Sequence, residues 1–250
     1  MSCVYEAEDW KAYQQKMDYK NPHQQLELLE AEIEIVDTAL DVLVTAGILA
    51  HRDYDGARFL EYRAAVRDRY EIPWTAITPR MQRLIYAVNV IAQPQVMVAV
   101  GIFCGNTFSI NAGAAIGPGA CYRAERLVGL EIRPEEADRA RRNVATIDPE
   151  GQAEILGEDG IAWVQNYEGT IDLLYLDADG PMGKGKSIYL DLVQAADRAL
   201  RPGSLVLAHN SVNAAAKLVD YLAHVHDPNR FHASANMFVD GEGLEVSVYR

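Results

Sequence analysis

The feature that most constrains this chain is the alternation that begins at Thr78. Apolar β-type runs and helical patterns take turns: QVMVAVG, FSINAGAAI, RLVGLEI, PEEADRARRNV, AEIL, GIAWVQN, IDLLYLD, YLDLVQAADRAL, GSLVLAHN and NAAAKLVDYLAHV. Such a pattern predicts a parallel sheet with helices on both faces. Two further β-type runs, HASANMFV and LEVSVYR, flank Asp240-Gly241-Glu242-Gly243. They predict an antiparallel hairpin that closes one sheet edge. The expected fold is therefore α/β, a doubly wound, mostly parallel sheet of seven strands.

Upstream of the alternation the texture differs. Residues 1–75 are rich in Glu, Gln, Tyr and Arg and poor in glycine. Leu26, Leu29, Ile33, Val36, Leu40, Leu43 and Val44 recur in steps of three and four, which makes one face of a helix. Asn21-Pro22 suits its start and Gly47 its end. A second helix is expected over Ala57–Arg69. The expected organisation is an N-terminal helical extension over 1–75 and a main domain over 76–250. The extension is read as a lid or dimer-packing element, with a wall of a substrate pocket as the alternative.

Composition removes several function classes. The formal net charge is −13, whereas nucleic-acid binders need a basic face. No apolar stretch of about 18 residues is present, so no membrane span is expected. Cys3, Cys104 and Cys121 form no Cys-x-x-Cys pair and leave an odd count, unlike a disulfide framework or a zinc site. The acidic start does not read as a signal peptide. These features point to a cytoplasmic protein.

Chemistry is expected at the carboxyl ends of the strands, where doubly wound sheets bind ligands. Gly101 and Gly105 lie where the first parallel strand turns into a helix, and each permits a close approach or a positive φ. Glu131 tips the second strand, where an acid can accept hydrogen bonds from both ribose hydroxyls of a nucleoside. Asp159 and Gly160 fall at the next strand end, near the expected adenine. IDLLYLD ends at Asp177 and SLVLAHN ends at His209-Asn210, so neighbouring strands would bring a carboxylate, an imidazole and an amide together.

These segments resemble the class I S-adenosylmethionine-dependent methyltransferases, with their Rossmann-like fold. The narrower resemblance is to the catechol O-methyltransferase-like branch of small-molecule O-methyltransferases. It rests on ITPRMQRLI, VMVAVGIFCGNT, GLEIRPEEADRAR, IDLLYLDAD, GSLVLAHN and VDGEGLEVSVYR, and covers about residues 76–250. It implies S-adenosylmethionine as cofactor, with Gly101, Phe103, Gly105 and Thr107 on its methionine and ribose side. Glu131 would bind the ribose, Ile132 would lie beside the adenine, Asp159 and Gly160 would face its edge, and Asp177 would also border the cofactor.

The family holds a divalent cation on an Asp … Asp-Asn set, and the cation lowers the pKa of the substrate hydroxyl. Here His209 stands where the second Asp is expected. Two readings follow. A metal is held by Asp177, His209 and Asn210, as Mg²⁺ or as Mn, Fe, Co, Ni or Zn given the imidazole. Alternatively the metal is lost and His209 acts as a general base. The family's acid near the end of the first strand is Ala99 here. Its lysine after Asp-Ala-Asp is Gly180, with Lys184 and Lys186 as the lysines that could fold back into the site.

A rival motif overlaps these lysines. Residues 180–187 read GPMGKGKS, a match to the phosphate-binding Gly-x-x-x-x-Gly-Lys-Ser loop between a strand and a helix. The favoured expectation is methyl transfer to a hydroxyl oxygen of a small-molecule acceptor, in a homodimer. The alternatives are metal-free methylation of nitrogen or carbon, an NTP-using enzyme built on Gly180–Ser187, and a cofactor binder that methylates nothing.

Overall fold

The computed structural model describes residues 2–250. Its parallel strands are β2 (Val96–Val100), β3 (Arg126–Leu130), β4 (Ala153–Leu156), β5 (Ile171–Leu176) and β6 (Leu200–His209). β7 (Phe231–Phe238) and β8 (Leu244–Tyr249) form the expected antiparallel hairpin, with β8 lying between β7 and β6. An eighth strand that the sequence reading lacked, β1 (Ser2–Glu6), runs parallel to β7. Only Cys3 and Tyr5 of β1 pack against the core, so its signal is two half-buried residues among polar ones. The strand order is β1-β7-β8-β6-β5-β2-β3-β4.

Period-two alternation sorts the strands onto two cores. Met97 and Ala99 of β2, with Leu173 and Tyr175 of β5, face one side. There they meet α2 (Leu29–Thr45), α3 (Gly56–Arg69), α4 (Pro79–Ala92), α5 (Asn106–Ala112) and α6 (Pro134–Ala145). Val96, Val98 and Val100, with Leu174 and Leu176, face the other. That side is covered by α7 (Gly160–Asn166), α8 (Ile188–Ala195) and α9 (Val219–Val225). Both faces are buried, which is why the parallel strands read as unbroken apolar runs.

The N-terminal segment adds a short helix, α1 (Trp10–Gln15), before α2. α2 starts at Leu29, not at Asn21. Residues 18–28 close a loop instead, with Gln24 bonded to both backbone groups of Asp18. Glu27 is drawn out to Arg80, whose Nε lies 2.7 Å from its Oε1. α2 ends as expected at Gly47: the N–H groups of Gly47 and Ile48 donate to the carbonyls of Val44 and Leu43, a Schellman arrangement.

α4 is buried along most of its length, yet it carries Arg80 and Arg83. Both are balanced from the N-terminal segment. Arg80 pairs with Asp9 and Glu27 and lies 3.7 Å from the Tyr13 ring centre. Arg83 Nε donates to Glu32 Oε1 at 2.6 Å, and Arg63 of α3 grips the same carboxylate with both terminal nitrogens. One carboxylate thus ties α2, α3 and α4 together.

The hairpin turn is tied to the same helix. Thr78, the N-cap of α4, donates to Asp240 Oδ2 at 2.6 Å. Asp240 Oδ1 accepts the N–H groups of Glu242 and Gly243. This fixes Glu242 above the carboxyl ends of the strands.

Candidate active site

The order reverses at β2, which lies between β3 and β5, and clefts open at such switch points. After β2 the chain turns at Gly101, with φ +84°. A Cβ there would lie 2.3 Å from the backbone of Ala178, in the loop after β5. Only glycine lets the two loops approach this closely. Gly105, with φ +88°, is the N-cap of α5, and a Cβ there would press on Ala140 of α6 at 3.1 Å.

A cleft of about 530 Å³ lies across these loops. It is lined by Gly101, Phe103, Glu131, Ile132, Asp159, Gly160 and Asp177, among others. Glu131 is buried at its waist; Oε2 accepts the Phe103 N–H at 2.8 Å, and Oε1 accepts from Arg133. The Phe103 bond supports a backbone at φ +50°, a conformation that a non-glycine residue keeps only when it is held. Ile132 is 61% exposed, an apolar surface open to a ligand. Asp159 caps α7 by accepting from the Ala162 N–H. Five acids (Glu131, Glu158, Asp159, Asp177, Asp179) face two bases (Arg133, Lys186) around this cleft.

A second cavity, of about 580 Å³, adjoins the first. Trp74, Phe103, Asp177, Asp179 and Lys186 line both. Thr107 lines only the second, beside Asn106, His209, Asn210, Asn213 and Glu242. Tyr19, Lys20 and Pro73–Ile77 complete the wall. The N-terminal helices therefore pack on the core, and it is their connecting segments that wall the cavity.

Asp177, Lys186 and His209 meet where the cavities join. Lys186 Nζ donates to the Asp177 carbonyl at 2.8 Å and to Asp177 Oδ1 at 2.9 Å. His209 Nδ1 lies 3.4 Å from the same Oδ1. His209 is 2% exposed, and its Nε2 has no hydrogen-bond partner. Burial alone would push the His209 imidazole down, but the Asp177 charge outweighs it and leaves the group above the ordinary histidine value. Burial also opposes the Lys186 ammonium, and again Asp177 outweighs it, so Lys186 stays charged. Asp177 lies below the usual carboxylate range, because Lys186 and His209 overcome its burial.

Lys184 is not brought into the site. Its Nζ pairs with Asp191 at 2.6 Å on the surface, with 55% of the side chain exposed. Asn210 takes a left-handed backbone, φ +66°, and donates to Glu242 Oε2 at 2.6 Å. Asn213 donates to the same oxygen. Trp74 is 51% exposed, and its ring centre lies 5.1 Å from that of Phe103. Sequence reasoning does not single out Trp74, Glu242, Asn213 or Tyr19. The one available signal for Glu242 was an acid inside the hairpin turn. Trp163 stacks on Tyr167 and does not line the cleft beside Gly101.

The Asp177, His209, Asn210 set does not fit a divalent cation. The Lys186 ammonium already pairs with Asp177, the one carboxylate of the set, at 2.9 Å and neutralises the charge a cation would need. Among the described residues no three His, Cys, Asp or Glu side chains converge as a metal site. Residues 180–187 do not form a phosphate cradle either. Gly180 N–H closes back on the Gly185 carbonyl, Ser187 donates to Lys184 O, and Lys217 covers Gly183 O. Lys186 is turned out of this loop onto Asp177, with which it makes two hydrogen bonds, amid an acidic surround that repels a triphosphate.

No protein-family model and no curated protein matches the chain by sequence. Solved structures match it in fold. An S-adenosylhomocysteine-bound methyltransferase from Podospora anserina is 13% identical, with a TM-score of 0.60 over 91% of this chain and 99% of that one. An O-methyltransferase from Bacillus cereus in complex with S-adenosylhomocysteine is 15% identical, with a TM-score of 0.57 over 89% and 100%. The O-methyltransferase TomG from Streptomyces achromogenes, involved in tomaymycin synthesis and bound to S-adenosylmethionine, is 15% identical, with a TM-score of 0.58 over 89% and 99%. The fold is that of the class I S-adenosylmethionine-dependent methyltransferases. Among the described residues no helix is long and apolar enough to cross a membrane.

Proposed function

We propose that the chain is an S-adenosylmethionine-dependent methyltransferase acting on a hydroxyl oxygen of a small-molecule acceptor. One observation carries this reading. The cleft beside Gly101 and Glu131 shares a wall with a second cavity, and that cavity is lined by His209, whose buried Nε2 has no hydrogen-bond partner. The residues present fit the cofactor: the cleft has the size of small-ligand sites, Glu131 stands at its waist, and the excess of acids favours a sulfonium. When bound, S-adenosylmethionine supplies an electrophilic methyl group on a positively charged sulfur.

The chain's own residues do the rest. The Gly101 and Ala178 loops set the floor on which the methyl and the acceptor align, and alignment carries much of such a reaction. Asp177 accepts from His209 Nδ1–H, which leaves Nε2 as the proton acceptor. Nε2 takes the hydroxyl proton as the oxygen attacks the methyl carbon. The new O–C bond forms as the S–C bond breaks, a neutral thioether leaves, and His209 later releases its proton to water. Lys186 steadies the developing oxyanion. A homodimer belongs to the same proposal.

Glu131→Ala is expected to weaken S-adenosylhomocysteine binding by about 10–100-fold, since hydrogen bonds to charged groups contribute about 1.5–3 kcal/mol. Calorimetric titration reads this, with circular dichroism confirming the fold. Unchanged affinity would remove Glu131 from the cofactor site.

A further inference from the structure

We propose that Lys186 is a built-in cation standing in the place of a divalent metal, and that the acceptor is therefore a flat aromatic compound presenting one acidic hydroxyl rather than a chelating pair. This rests on the methyltransferase reading above. An ammonium has three donors. Two of Lys186's go to the carbonyl and carboxylate of Asp177. The third faces Asp179 Oδ2 at 3.5 Å, an ion pair to a side chain that is 69% exposed, longer than a good hydrogen bond. That loosely held donor can turn to a ligand oxygen at the junction of the cavities.

At the junction of the cavities a proton acceptor, His209, and a cationic donor, Lys186 Nζ, stand side by side on Asp177. Together they complement a single hydroxyl on its way to an oxyanion. A metal with open positions can take two adjacent oxygens; one N–H takes one. The walls fit a ring. Trp74 and Phe103 form a tilted aromatic pair at the mouth, and Tyr19, Pro73 and Ile77 line the same space.

Two chromogenic probes test this on the intact protein with S-adenosylhomocysteine bound: para-nitrophenol, with one hydroxyl, and para-nitrocatechol, with two adjacent ones. The methyltransferase reading itself is checked first, by calorimetry of wild-type protein with S-adenosylhomocysteine; if that ligand does not bind, the reading fails and the probe results are not needed. With it bound, para-nitrophenol is expected to bind as the phenolate, seen by its absorbance. Chelator is expected to leave this signal unchanged. Manganese(II) is expected to stay free by electron paramagnetic resonance, and to raise nitrocatechol affinity less than threefold, well under a tenfold step of about 1.4 kcal/mol. Lys186→Met is expected to abolish the phenolate signal and to lower the rate of methyl transfer by about 10²–10³-fold, the range for losing one oxyanion donor. Stoichiometric manganese binding, a phenolate signal lost on chelation, a persisting signal in Lys186→Met, or failure of both probes to bind would each overturn the inference.

Discussion

His209→Ala is expected to lower kcat by about 10²–10⁴-fold, the range that a positioned general base contributes, while S-adenosylhomocysteine affinity changes little. His209 lines the second cavity and is not among the residues lining the cleft beside Gly101 and Glu131. Single-turnover kinetics separate the two effects. Asp177→Asn is expected to follow in the same direction, because Asp177 both orients Nδ1 and raises the imidazole. The pH profile carries the same signature. As the proposed base, His209 must be neutral to react, and its pKa lies above the ordinary histidine value. Asp177, Glu242 and Asp240 all push it up, with Lys186 facing the same Asp177 oxygen. Activity should therefore rise as pH increases through that raised value, with an acid limb above the position of a free imidazole. In Asp177→Asn the limb should move to lower pH. A His209→Ala enzyme that turns over at the wild-type rate would exclude the imidazole as the base.

Glu32→Ala is expected to destabilise the fold by about 3–5 kcal/mol, the cost of breaking a buried ion pair by removing one partner. Glu32 is buried, and Arg83, its partner on α4, is 1% exposed. Without the carboxylate the Arg83 guanidinium keeps only the Tyr54 hydroxyl, at 3.1 Å, and the Phe59 ring, at 4.5 Å. Arg63, one quarter exposed, can turn to water and loses less. Denaturant unfolding measures the difference. The double variant Glu32→Met with Arg83→Met should recover much of the loss, because an apolar replacement leaves no buried charge. A loss under about 1 kcal/mol for Glu32→Ala, the level of an exposed pair, would show that the three-helix tie is not what holds the N-terminal segment to the core.

These two cases mark where the sequence is readable and where it is not. The strands from β2 to β8 follow from short apolar runs, and the helices between them from periods of three to four, so they stand in the sequence. The glycines of the first loop are readable for the same reason: a sharp turn after a buried strand restricts the residue at the turn itself. β1 is five residues with two half-buried side chains, too weak a period to separate from a polar terminus. The start of α2 depends on Glu27 reaching Arg80, a pairing that spans 53 positions. Lys184 and Lys186 sit two residues apart in one glycine-rich loop, and nothing local says which turns inward. That choice is made by Asp177 and by the Gly180–Gly185 closure. Trp74 and Glu242 reach the site from a connection and a hairpin turn, and their meeting depends on the Thr78–Asp240 bond between distant segments.

The central claim is that the cleft beside Gly101 and Glu131 binds the methyl donor. Calorimetric titration of metal-stripped protein with S-adenosylhomocysteine, run beside Mg·ATP, tests it most directly. Saturable binding of S-adenosylhomocysteine and none of Mg·ATP is the expected result. Binding of Mg·ATP alone would contradict it and return residues 180–187 to the centre of the chemistry.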